Sequence, residues 1–152
     1  MSVRNLTIER PEGWRFIAPD AAASRDTVLV LQGPSQGAER APVVEIERRP
    51  LSLNDQREPP AALLQALVES ILQTAEGFSV VEQPTDVQVA GKAARRLRLL
   101  LERNEETGVA STFGVLVYGI ADGDQLWILR LVGPTDGSAD AKLDEVLASL
   151  SL

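Results

Sequence analysis

A chain of 152 residues, 44% hydrophobic and 24% charged, has the material for one domain with its own core and lies far from the composition of disordered chains. It contains no cysteine and no histidine, which excludes disulfides, thiolate zinc sites, cysteine nucleophiles and the commonest general base near neutral pH. A net charge of −7 repels phosphate backbones and sets nucleic acid aside as a partner unless a basic face segregates.

Leu6 to Ile8 and Trp14 to Ile17 read as short strands hinged at Pro11-Glu12-Gly13, because proline and glycine punctuate turns, and Trp14 is expected to plug the core. Small residues from Pro19 to Arg25 lead to Thr27–Leu31, a β-rich apolar run of strand length. Gly33 to Ala41 reads as a loop. Val43, Val44 and Ile46 begin the next strand, and Glu45 and Glu47 share one of its faces, which is expected to meet water.

The polar, proline-bounded stretch Pro50 to Pro60 is expected to be a mobile connection, with Pro59-Pro60 suited to the first turn of a helix. Leu63, Leu64, Leu67, Val68, Ile71, Leu72 and Ala75 then recur at three- and four-residue steps, predicting a helix buried along one stripe and ended by Gly77. The second half predicts an antiparallel meander: Phe78 to Val89, Lys92 to Arg103, Ser111 to Ile120 and Gln125 to Val132. Its turns fall at Ala90-Gly91, Asn104 to Gly108 and Asp122-Gly123-Asp124. A last helix, capped by Ser138 or Asp136, carries the stripe Leu143, Val146, Leu147 and Leu150. Two separated helices with an antiparallel sheet make an α+β sandwich in one domain over residues 1–152; strand order does not follow from the sequence.

The motifs that could carry chemistry fail on context. Gly33-Pro34-Ser35-Gln36-Gly37 matches a nucleophile elbow, but Pro42 follows too soon for the required helix and no histidine can take the serine proton. Glu45 with Glu47, and Glu105 with Glu106, show no cleft that would separate their acidities. Asp136, Asp140, Asp144 and Glu145 lack calcium-loop spacing and suit the start of a helix. Asn5-Leu6-Thr7 matches a glycosylation sequon, but the N-terminus lacks a secretory pattern, so cytoplasmic residence is expected and the sequon is given no role. No stretch is long and apolar enough to span a bilayer. No cofactor or metal is expected.

Strand alternation sends Arg95 and Arg103 to one side of their strand and Arg96 and Arg98 to the other. Leu126-Trp127-Ile128 implies a strand covered on both faces; were one face bare, Trp127 or its neighbours would form a binding patch.

Three landmarks, Pro11-Glu12-Gly13-Trp14, Val89 to Arg95 and Leu147-Ala148-Ser149-Leu150, stand in an order that resembles the Mog/PsbP-like superfamily, with its DcrB-like and Eag-type chaperone relatives. The resemblance implies an α/β/α sandwich. Its members serve as a GTPase-binding factor, an extrinsic photosystem subunit and chaperones of type VI secretion effectors, so it favours recognition over catalysis without selecting a role. The expectation is a non-enzymatic protein-binding module, a bacterial chaperone or adaptor, with a protein partner and with Arg48, Arg96, Arg98 and Trp127 as candidate contacts if their strands align. The alternative is a small-ligand or metal-binding protein with a pocket between sheet and helix.

Overall fold

The computed structural model describes residues 2–3, 6–18, 26–34, 41–74, 78–104, 110–134 and 139–151. Its elements are β1 (Ser2–Val3), β2 (Leu6–Thr7), β3 (Arg15–Ile17), β4 (Thr27–Gln32), β5 (Val43–Pro50), α1 (Leu53–Gln56), α2 (Pro60–Thr74), β6 (Phe78–Val89), β7 (Lys92–Asn104), β8 (Ala110–Asp122), β9 (Gln125–Gly133) and α3 (Asp140–Ser149). Seven strands form one antiparallel sheet in the order β3-β4-β5-β9-β8-β7-β6, while β1 and β2 pair separately. The meander is the predicted one. Ala90 (φ 53°) and Gly91 (φ 74°) close its first turn, and Gly123 (φ 58°) supplies the left-handed residue of the last.

The two halves of the chain join where β5 pairs with β9, from Val43 opposite Val132 to Pro50 opposite Gln125. Alternation along β9 then decides the layering. Trp127, Leu129 and Leu131 point into a core shared with Leu143, Val146 and Leu150 of the α3 end, and with Leu6, Ile8 and Trp14 of the N-terminal segment. Leu126 and Ile128 point the other way, into a core with Leu64, Leu67 and Val68 of α2. The α+β sandwich therefore has an apolar layer on each side of its sheet. Gly119 lets α2 come close: a Cβ there would sit 2.6 Å from Leu67 Cδ2.

Four expectations need correction. Pro50 to Pro60 is partly helical, because Ser52 Oγ accepts a hydrogen bond from the Asp55 N–H at 3.1 Å and caps α1. Leu72, assigned to the buried stripe, is 42% exposed; at 100° per residue it lies on the flank of the Leu64, Leu67, Val68 and Ile71 row, in the last turn. Glu47, assigned to a wet face, is 4% exposed, for a reason given below. The α3 N-cap is Ala139, which makes no side-chain capping bond. Ser138, Asp136, Gly77, Ser35 to Gly37, and Glu105 to Gly108 lie outside the described residues. The Gly33 end of the elbow-like motif is described, and it closes a loop: its N–H donates to the Pro42 carbonyl at 2.8 Å, and a Cβ would strike the Trp14 ring at 2.8 Å.

Candidate interaction surface

Of the candidate arginines, Arg96 and Arg98 lie on the α3 side of β7, and Arg95 lies on the α2 side, as alternation requires. Arg98 donates to Asp140 of α3, and its Nε lies 3.4 Å from Glu82 Oε1. The Asp140 hydrogen bond, opposed by burial and helped by the charges of Asp140 and Glu82, raises the Arg98 pKa above its ordinary value. Arg96 Nη2 reaches the same Glu82 at 3.8 Å, so one β6 carboxylate binds two β7 arginines. On the opposite side Arg95 donates to Gln65 of α2, and its Nε lies 3.3 Å from Asp86. Each arginine thus fastens a neighbouring element to β7.

Arg48 shares the α3 side of the sheet with Arg96 and Arg98 but does not join them. It stands opposite Trp127, in a row that continues through Ile120 to Ala94, whereas the row of Arg96 runs through Tyr118 and Leu129 to Ile46. Two strands intervene between β5 and β7, about 14 Å across the sheet. The Arg48 guanidinium lies 5.9 Å from the Trp127 ring centroid, within cation–π range. Trp127 itself is 1% exposed, and its indole N–H is buried without a hydrogen-bond partner. Nearby Tyr118 is also buried, and burial first, then the charges of Asp144 and Asp140, raises its pKa against the opposing pull of Arg96 and Arg98.

Glu47 lies on the α2 side, where Arg130 of β9 and Arg49 donate to it, the latter at 3.1 Å; Arg49 Nε is also 3.9 Å from Asp26. Its burial needs Arg130, a residue 83 positions away that the sheet brings beside it. Held by two guanidiniums, this carboxylate closes the sheet face on that side.

Sequence reasoning missed a different surface. Among the described residues, the exposed large hydrophobic ones are Leu53 of α1, Leu72 of α2, and Val80 and Val81 of β6. Val80 stands opposite Leu99, which packs under α2, so the exposed Val80 lies on the α2 side of the sheet, and Leu72 lies in the last turn of that helix. The β6–β7 register slips between Val80 and Glu82 and again between Glu82 and Thr85, which lifts Val81 out of the ladder. Val81 is half exposed. The usable signal was the adjacent pair Val80-Val81 preceding Glu82 and Pro84 on a strand with a proline, which marks an edge.

Among the described residues, apolar clusters join each helix to the sheet. A fissure lined by Arg98, Gly114, Leu131 and Asp140 has no room for a water-sized sphere. A shallow cleft of about 400 Å³ opens elsewhere, between Glu9, Arg10 and Pro11 and the α3 residues Glu145, Ala148 and Ser149. Among the described residues no three acidic side chains gather to hold a metal ion, and no helix is long and apolar enough to cross a membrane.

The architecture recurs in solved structures. LpqN, involved in cell envelope biogenesis of Mycobacterium tuberculosis, superposes with a TM-score of 0.65 at 15% identity, covering 97% of this chain and 83% of its own. Cyanobacterial PsbP from Synechocystis gives 0.57 at 12% identity over 99% and 94% of the two chains. The Saccharomyces cerevisiae Ran-binding protein Mog1p gives 0.61 at 12% identity over 96% and 89%. The chain has the Mog/PsbP-like fold. No protein-family model and no curated protein sequence matches it, so the likeness is one of architecture. In the Mog/PsbP-like frame, the Pro11-Glu12-Gly13-Trp14 landmark sets Trp14 against Gly33, and the Val89 to Arg95 landmark is the β6–β7 hairpin.

Proposed function

We propose that this chain is a non-enzymatic protein-binding module, a chaperone or adaptor of a bacterial cytoplasm, folded as one domain. The observation that carries the reading is the exposure of Leu72 at the end of α2 and of Val80 and Val81 on β6, beside a sheet that has an apolar core on each face among the described residues. The paired state of Glu47, Arg95, Arg96 and Arg98 supports it, because these charged groups are engaged in holding elements together. Mog1p is a Ran-binding protein, and a GTPase regulator is one finer version of the proposal; a chaperone for an apolar client is the other. In either version Arg96 and Arg98 act by holding Glu82 of β6 and Asp140 of α3 against β7, and Arg48 acts through its stacking on Trp127.

The test is affinity capture of the tagged chain from its native cells after mild crosslinking, repeated with Leu72→Asn and Val81→Asn, and with Leu53→Asn as a control of equal chemistry elsewhere. A partner lost with the first two variants and kept with the third supports the module. Recovery of the bait alone, despite good expression, overturns it and turns attention to the cleft at Glu9 and Glu145, where a ligand-dependent rise in melting temperature would report binding.

A further inference from the structure

The sheet ends in two very different edges. At one end β3 has only three residues, and its Arg15 is folded back onto Gln32 of β4, with Nη2 2.7 Å from Oε1. At the other end β6 runs from Phe78 to Val89, and among the described residues no strand lies beyond it. Every second backbone N–H and C=O of such a strand points away from the sheet and is left to water or a partner. Sheets commonly protect a long edge with bulges, proline or charge. β6 has two register slips and Pro84 in its middle, yet its apolar residues Val80 and Val81 stand exposed at the slip itself.

We propose that the Phe78–Glu82 stretch of β6 receives an extended segment of another protein by strand addition, a segment with alternating apolar residues flanked by lysine or arginine. This inference rests on the protein-binding reading and deepens it by naming the mode and the chemistry of the partner. The open backbone asks for an extended chain, since a helix has no free N–H and C=O to offer along its length. The exposed Val80 and Val81 ask for valine-like side chains at alternate positions. Charge sets the flanks: the arginines beside this stretch, Arg96 and Arg98, are held by Glu82 and Asp140, which leaves the net −7 of the chain to attract a basic segment. The same charge argues against a second copy of this chain, because two copies pairing edge to edge would bring together bodies that each carry −7.

The experiment is hydrogen exchange of the full chain with four synthetic nine-residue peptides: alternating valine and lysine, valine and glutamate, serine and lysine, and the first again with alternate valines N-methylated. The valine–lysine peptide is expected to slow exchange in residues 78–82 and leave β3 unchanged, while the other three give no protection. Val81→Asn is expected to weaken its binding by about ten-fold or more, and Leu53→Asn to leave it unchanged. A melting temperature close to that of the parent shows that Val81→Asn, a half-exposed site, is folded. Protection by the glutamate peptide, by the serine peptide, or by the N-methylated peptide would overturn acidity, apolar recognition or strand addition respectively. Protection at β3, or none at all, overturns the proposal; a partner captured from cells through another surface would then leave the binding module standing. Protection of residues 78–82 that grows with protein concentration and no peptide would assign the edge to a second copy and overturn the partner segment.

Discussion

The two faces of the sheet are closed by different means. On the α3 side the cover is apolar and braced: the N-terminal segment adds Leu6, Ile8 and Trp14 to the helix, and Glu9 N–H donates to Ser149 Oγ at 2.8 Å. On the α2 side one helix covers β7 and β8 through Leu64, Leu67 and Val68, and near β5 the face is closed by Arg130, Glu47 and Arg49 instead. An apolar layer gains stability in proportion to the area it removes from water, whereas a buried ion pair must first offset its desolvation. The α3 side is therefore expected to hold most of the folding energy, and the α2 side to be the more alterable.

The largest effect should come from the α3 side. Trp127→Ala removes a fully buried ring and is expected to cost about 3–5 kcal/mol in urea unfolding. A loss under 1 kcal/mol would mean that this core is not the main one. On the α2 side Glu47→Ala should cost about 1–3 kcal/mol, less than a fully buried pair because Arg130 and Arg49 keep some access to water. Glu47→Leu should recover most of that loss, and a double-mutant cycle with Arg130→Met should place the coupling in this pair.

Tyr118 gives a pH test of the α3 side. Its pKa is raised in the folded chain, so the unfolded chain loses its proton first, from pH 10 upward, and stability falls as pH rises from there through the folded value. It is the chain's single tyrosine, so phenolate absorbance reads it directly. The titration midpoint should lie above 10 in the native protein, and Tyr118→Phe should flatten the corresponding loss of stability. A midpoint at or below 10 would mean that water reaches the ring. The smallest effect is Ser52→Ala at α1, about 0.5–1 kcal/mol, since a single short turn loses one capping bond.

The difference between the faces also separates what could be read from what could not. Period-two and period-3.6 patterns are local, so the meander, α2, the α3 stripe, the split of Arg95 from Arg96 and Arg98, and the double coverage of Trp127 could be inferred before any coordinates. The β5–β9 pairing was not legible, because it joins segments about 80 residues apart and nothing in either strand names the other. Glu47 was misjudged for the same reason: its counter-charge sits on that distant strand. Arg48 was grouped with Arg96 and Arg98 because face can be read from alternation, while distance across a sheet needs strand order. The Ser52-x-x-Asp55 cap was readable, but the flanking prolines drew the reading toward a loop. Leu72 failed because a helical stripe tells which side is apolar and not where the sheet beneath it ends.

The bridge between Thr7 and Ser151, two hydrogen bonds of 2.9 Å, brings the two ends of the described chain side by side. A short peptide could therefore join them into a ring without crossing the sheet, and the Ala90-Gly91 hairpin offers a place to reopen it. In such a rearranged molecule β6 would follow α2 as before but end at the new C-terminus, so the same outer strand could be lengthened, fused or labelled directly. The geometry that fastens the ends together thus makes the far edge of the sheet accessible to protein engineering.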